Sequence, residues 1–342
     1  MKFISLEWPS RSHYFDIEKF FSHVNTDKIV FVTLSNSINS YNGFNPHPCD
    51  LDTDINFDID LKDDEYLFIF TCYESSYLPI MENKLIQNLW ENDIDTDRVY
   101  IVHNNPNNTT TKLKTIHWDY FETVVRMQHD SDLVYHKKKT KFAEIDVSKK
   151  RHDKKFLCLN YHQRPHRKNF MFAMRDRGLL DQFNASLWEE ELQLRYDYHG
   201  TIEDSPNLWY SNEKRFAYEN SIFVVTETLF QDTYSDLIFL TEKIFKPMLL
   251  KMPFILVGQS NTLKRLKDMG YKTFGHMWDE SYDTINNSQT RLNTIVELVS
   301  FLSTQNVQKI VDDNNEIYEH NYKTLMSSFA EKEIFDTIRS LK

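Results

Sequence analysis

Residues 66–103 read YLFIFTCYESSYLPIMENKLIQNLWENDIDTDRVYIVH, and the order of patterns within them decides the fold class. Tyr66 to Thr71 is a short apolar run, which suits a strand buried on both faces. Tyr77 to Trp90 sets Leu78, Met81, Leu85 and Leu89 at helical spacing. Arg98 to His103 is apolar and β-branched again. Strand, helix and strand in that order imply a right-handed crossover and a parallel sheet. Upstream, Lys28 to Leu34 (KIVFVTL) is a further strand, and residues 41–64, dense in Asn, Asp and Pro, read as a loop. Downstream, a helix is expected around 117–127.

The second half repeats this grammar. Lys155 to Asn160 (KFLCLN) is a strand, and His166 to Arg177 is a helix closed by Gly178, a residue at ease in the left-handed C-terminal position. Residues 213–220 are helical and Ile222 to Thr226 is a strand. Phe239 to Leu250 is helical, with Thr241 as its N-cap. Pro253 to Val257 is a buried strand stopped by Gly258. Asn261 to Met269 is a helix stopped by Gly270, Tyr271 to Phe274 a short strand, and the remainder helical. Each half is therefore expected to be an α/β unit, the first over residues 1–150 and the second over 151–342. The boundary falls in residues 136–155, HKKKTKFAEIDVSKKRHDKK, of which nine are Lys or Arg. That run reads first as a solvated linker, and second as a basic lip for a phosphorylated or nucleic-acid acceptor.

Composition narrows the function. A chain of 342 residues suits two domains of about 150. A net charge of -11 argues against a dedicated nucleic-acid binder. The three cysteines, Cys49, Cys72 and Cys158, are too dispersed for a disulfide framework or a zinc site. The N-terminus lacks a signal-peptide core, and no apolar run of about 18 residues could span a membrane, so the expectation is a cytoplasmic protein. With six glycines in the chain, neither a GxGxxG nor a P-loop can be built. A bound diphosphate would need cationic side chains and helix N-termini instead.

Three clusters in the second half meet that need. Asn160-Tyr-His-Gln-Arg-Pro-His-Arg167 follows a strand and precedes a helix, where open α/β sheets bind ligands. Arg164 and Arg167 there oppose the helix dipole, and an anion beside them would remove the conflict. Phe239-Leu-Thr-Glu-Lys243 opens the next such helix, with Glu242 suited to ribose hydroxyls and Lys243 to a diphosphate. Val224-Val-Thr-Glu-Thr228 carries Glu227 at a strand's C-terminal end.

Residues 223–258 resemble the signature of the α1,3-fucosyltransferase family. That family has a strand ending in a FENS-like turn, an aromatic-x-TEK motif, a helix, and a VPVVLG-like strand. Glu227 falls on the turn glutamate, Phe239 replaces the family's tyrosine, Thr241, Glu242 and Lys243 match, and PFILVG replaces VPVVLG. Arg167 follows Asn160 by seven positions, as the family's arginine follows a serine. The gap between turn and TEK is longer here, and no asparagine follows Glu227. The resemblance implies a GT-B fold, two Rossmann-like domains facing a cleft. It also implies a GDP-sugar whose diphosphate meets Arg167 and Lys243 and whose ribose meets Glu242. In the first half, Tyr73-Glu74-Ser75 is similar to the family's Glu-Ser-Pro region, where the base lies, and residues 129–132 to its RDSD stretch.

The expected chemistry is one displacement that inverts the anomeric carbon. Arg167, Lys243 and a helix N-terminus would stabilise the leaving diphosphate with no metal and no other cofactor. Glu74, just past a strand, is the expected base, with His103 in reserve. Asp52-Thr-Asp54 and Asp58-Ile-Asp60 have DxD spacing but read as a solvated acidic loop. Trp118, Trp188 and Trp209 read as core before sugar platforms. The expected partners are a nucleotide sugar and a glycan or other hydroxyl acceptor. Two other readings remain open: transfer to modified bases in DNA, and a non-catalytic GT-B binding protein.

Overall fold

The structure, a computed structural model, describes residues 2–5, 21, 29–33, 67–72, 79–91, 93–103, 112–127, 145–160, 163–189, 192–195, 214–231, 238–327 and 329–341. They form two compact units, residues 1–139 with 328–342, and residues 140–327.

The first unit is built on β1 (Lys2–Ser5), β2 (Ile29–Thr33), β3 (Leu67–Cys72), β4 (Val99–His103) and β5 (Lys114–His117). They lie side by side in chain order, and each neighbouring pair is parallel. Between β3 and β4 runs α1 (Pro79–Glu91), and α2 (Tyr120–Met127) follows β5. Proline at the first helical position costs α1 no hydrogen bond. The helix buries Glu82, Leu85 and Leu89 and exposes Gln87, Trp90 and Glu91. Its end needs a left-handed residue, and Asp93 supplies it at φ 57. The Asp93 and Ile94 N–H groups then close on the Trp90 and Leu89 carbonyls. Buried Glu82 accepts the backbone N–H of Leu113 at 2.9 Å, which ties α1 to the segment before β5.

The second unit contains β6 (Lys154–Leu159), α3 (Pro165–Asp176), β7 (Phe183–Glu189), β8 (Leu192–Arg195), α4 (Lys214–Glu219) and β9 (Asn220–Thr226). Then come α5 (Glu242–Leu249), β10 (Phe254–Val257), α6 (Thr262–Asp268), α7 (Ser288–Ser303), α8 (Val307–Asp312) and α9 (Asn315–Met326). The strand order is β10-β9-β6-β7-β8, parallel except for antiparallel β8. Every residue of β9 is buried, as an inner parallel strand requires, and so is every residue of the edge strand β10. The chain leaves β6 toward β7 and leaves β9 toward β10, in opposite directions. The carboxyl ends of β6 and β9 therefore flank the switch point of the sheet.

Two expectations are corrected. Tyr271 to Phe274 is not a strand. Its polar groups pair with side chains instead, the Lys272 N–H with Asn321 at 2.8 Å and the Phe274 N–H with Glu280 at 2.7 Å. Residues 145–155 are not a solvated linker. Lys150 Nζ reaches the Lys251 carbonyl at 3.1 Å, Arg151 pairs with Asp153 and Glu219, and Lys155 donates to the Ser303 and Gln305 carbonyls. Residues 136–144 lie outside the described residues.

The last helix, α10 (Phe329–Ser340), belongs to the first unit, whereas the pattern alone left it with the second. Ile334 and Ile338 are fully buried, Phe335 meets Phe21 edge-on at 6.0 Å, and Glu331 pairs with Arg126 of α2. Ile338→Ala should cost about 2–5 kcal/mol. Urea unfolding should show it, and amide exchange should quicken in β4 and β5. Equal quickening in β6 and β9 would mean that α10 supports the second unit as well.

Among the described residues, no helix is long and apolar enough to cross a membrane.

Candidate functional site

The switch point of the second sheet is polar where the strands below it are apolar. Asn160, one residue past β6, accepts the Thr226 hydroxyl at 2.5 Å and so joins the ends of β6 and β9. Its own N–H goes to the Ser186 carbonyl of β7 at 3.0 Å. The Ser186 hydroxyl completes the join by donating to the Asn160 carbonyl at 3.2 Å.

On this platform α3 begins. Arg164 is its N-cap residue and makes no side-chain cap, and Pro165 fills the first helical position. One turn on, Arg167 is buried and donates to the Thr226 and Glu227 carbonyls, both at 3.2 Å. His166 donates Nε2–H to the same Glu227 carbonyl at 2.9 Å and stacks on Phe230 at 5.1 Å. The donor must be Nε2, because a carbonyl only accepts.

The Glu227 side chain turns the other way, toward α5. It accepts the Thr241 hydroxyl at 2.6 Å, the Thr241 N–H at 3.2 Å and the Thr228 N–H at 3.0 Å. Thr241 is the N-cap of α5, so Glu227 holds the cap that holds the helix. Lys243 Nζ then meets Glu242 at 2.7 Å, Thr241 Oγ1 at 3.1 Å and Thr228 Oγ1 at 3.2 Å. Glu242 is buried, while the Lys243 side chain keeps 27% of its surface exposed. Lys243 is the more exposed partner of the pair.

Three cations, Arg164, Arg167 and Lys243, thus share the site with two carboxylates, Glu227 and Glu242. Burial and the neighbouring Arg164 push Arg167 down to about 10. Burial also lowers Arg164, against the pull of Glu227. Burial raises Glu227, opposed by Lys243. His166 is pushed from 6.5 down to about 3 by burial, then by Arg167, Arg164 and Lys243, so it is neutral.

No family model matches the chain, and no curated protein matches it. The site is therefore read from its own geometry.

Of the expected donor residues, Arg164, Arg167, Glu227, Thr241, Glu242 and Lys243 converge on one spot. Phe239 lies beside it, but its ring is buried and its N–H goes to the Gln259 side chain at 3.1 Å. The expected base, Glu74, lies outside the described residues, as do residues 129–132, the DxD pairs and Trp209. Trp118 is core, buried against Phe21 and Tyr120.

Arg291 escaped the sequence reading. It is buried on α7 and donates to the Gly258 carbonyl at 3.0 Å, to the Asn286 carbonyl at 2.9 Å and to the Phe230 carbonyl, with its guanidinium 4.6 Å from the Phe230 ring. It clamps the turn after β9 from behind, through the ring on which His166 stacks. The one sequence signal was an arginine next to Leu292 on a helix face that buries Ile295 and Val299.

His166 makes this site acid-sensitive. Its folded value, about 3, lies below its ordinary 6.5, so below that pH the unfolded chain binds a proton that the folded chain refuses. The stability it secures is complete above 6.5 and falls on acidification by up to about 1.4 kcal/mol per pH unit. Glu227, raised in the fold, works in the opposite sense. His166→Asn keeps a donor for the Glu227 carbonyl and cannot titrate. Urea midpoints should fall less steeply between about pH 6 and 4 in this variant than in wild type. Parallel curves would show that His166 is not held neutral.

Proposed function

We propose that this chain is an inverting, GT-B-type glycosyltransferase that takes a sugar from a nucleoside diphosphate, GDP-linked as in the α1,3-fucosyltransferases. The observation that carries the reading is the cationic cluster at the switch point, Arg164 and Arg167 from one strand-to-helix junction and Lys243 from the other. The cluster carries one cation more than its two carboxylates, and a diphosphate would add the further negative charge. Burial makes each such contact worth more than it would be in water.

Transfer breaks the bond between the anomeric carbon and the diphosphate oxygen, and the electron pair leaves with the diphosphate. Arg167 and Lys243 stabilise that charge as it grows. Glu242, beside Lys243, accepts from the ribose hydroxyls. Glu227 and Thr241 act through position, because their polar atoms are committed to holding the first turn of α5. The acceptor is a hydroxyl on a glycan, and the first unit binds it. Transfer to DNA bases is less well supported. The net charge of -11 opposes it, and Lys150 and Lys155 are spent on carbonyls of their own unit.

The test is a thermal-shift screen of nucleoside diphosphates and nucleotide sugars, followed by an assay for diphosphate release. A shift with one base series, with turnover of its sugar, supports the reading. No shift with any nucleotide removes it. Binding without turnover would make the chain a sugar-nucleotide-binding protein.

A further inference from the structure

Lys243 stands at the donor site with its ammonium already committed. Nζ carries three hydrogens, and the acceptors around it are Glu242 Oε1 at 2.7 Å, Thr241 Oγ1 at 3.1 Å and Thr228 Oγ1 at 3.2 Å. A phosphate that is to meet this ammonium has to take the place of one of them. All the groups concerned lie within the second unit.

The three acceptors are not equally held. The Thr241 hydroxyl is fixed from behind, since it donates to Glu227 at 2.6 Å. The backbone N–H groups of Thr241 and Thr228 bind the same carboxylate, at 3.2 and 3.0 Å. Glu242 takes its hydrogen bond from Lys243, its neighbour in sequence, and is buried. It is also the charged acceptor of the three, and so the one that most resembles a phosphate oxygen. Its field reaches Arg167 as well. Burial and Arg164 lower that guanidinium, and Glu227 and Glu242 oppose them. Glu242 is therefore an internal counter-anion to Lys243 and Arg167.

A bare phosphate or diphosphate that displaces Glu242 from Lys243 leaves a buried carboxylate without its donor and sets a second anion beside it. An interior charge in that position is strongly destabilising. A nucleoside diphosphate brings the remedy with it. Its ribose 2′- and 3′-hydroxyls can donate to the carboxylate while its phosphate takes the ammonium.

We propose that Glu242 is a specificity gate that competes with phosphate oxygens for Lys243, so that the site rejects inorganic phosphate and pyrophosphate and admits a diphosphate that carries a ribose. The gate rests on the nucleotide-sugar reading above. It discriminates by penalising the wrong ligand rather than by adding a contact to the right one.

The experiment measures affinities of the full chain by calorimetry. The probes are inorganic pyrophosphate, the best binder among GDP, ADP, UDP and CDP, and the 2′,3′-dideoxy form of that nucleotide. Wild type should bind the dideoxy form about 100-fold or more less tightly than the ribonucleotide, since losing both hydroxyls strands Glu242. Glu242→Gln removes the competing charge and should bind pyrophosphate about tenfold or more tighter than wild type. In a Lys243→Met background the same substitution should bring no gain, because nothing is left to compete for. An equal gain in that background is a general charge effect and overturns the gate. So does a pyrophosphate affinity of Glu242→Gln within about threefold of wild type, or a dideoxy nucleotide that wild type binds within about threefold of its ribose form. Each of these results leaves the nucleotide-sugar reading standing. No nucleotide bound by wild type defeats that reading first, and the gate with it.

Discussion

Lys243→Ala should lose most of the stabilisation that a nucleoside diphosphate gives the wild-type protein. At a ligand concentration 100 times Kd, wild type gains about 2.7 kcal/mol, a shift of about 5–10 °C for a unit of this size. A charge-assisted contact is worth about 1.5–3 kcal/mol, so its removal weakens binding roughly tenfold to more than 100-fold. At the upper end, the same ligand concentration gives the variant about 0.4 kcal/mol, close to no shift. The unliganded variant should itself melt below wild type, because Lys243 is the partner of the buried Glu242 carboxylate, so each protein's shift is read against its own unliganded melting temperature. Lys243→Arg keeps the charge and should keep part of the shift. An equal shift in Lys243→Ala and wild type would place the phosphates elsewhere.

Glu227→Ala should have the larger effect on stability. Glu227 is 1% exposed and accepts three hydrogen bonds that assemble the first turn of α5. Its removal strands two N–H groups and a hydroxyl in the interior and deprives Lys243 and Arg167 of a countercharge. Breaking a buried charged network in this way costs about 3–5 kcal/mol. Glu227→Gln keeps an acceptor oxygen and should cost less. Urea unfolding of both variants measures the difference. A change within about 0.5 kcal/mol for Glu227→Ala would show that the network carries no stability. Nucleotide binding should weaken along with the fold, since the Thr241 cap and the Lys243 ammonium are placed by this carboxylate.

Much of the site was legible because its residues sit at strand ends. Arg164, Arg167, Glu227, Glu242 and Lys243 all lie where an apolar run gives way to a helix. In an open α/β sheet such junctions gather at one edge. The roles were less legible. Glu227 reads in sequence as a ligand contact, yet its carboxylate is consumed by Thr228 and Thr241. Phe239 takes the place of the family's tyrosine among the expected donor contacts, yet its ring is inside. His166 lies within the arginine motif, but its neutrality follows from burial beside three cations, which no spacing encodes. Arg291 comes 33 residues after the carbonyl of Gly258 that it binds, with no local pattern to link them.

The alternation of apolar strands with periodic helices was sufficient for the α/β class and the parallel sheets, because hydrophobic period and crossover handedness are local rules. It was sufficient as well for the caps at Thr241 and Gly178, where one residue's chemistry decides. It could not place α10, whose apolar stripe fits either unit until Ile334 and Ile338 find β5 and α2. Nor could it show that the strand order reverses between β6 and β9, bringing two junctions about 70 residues apart in sequence to one spot. Strand order depends on which faces bury the most apolar surface together, a property of the whole packed unit.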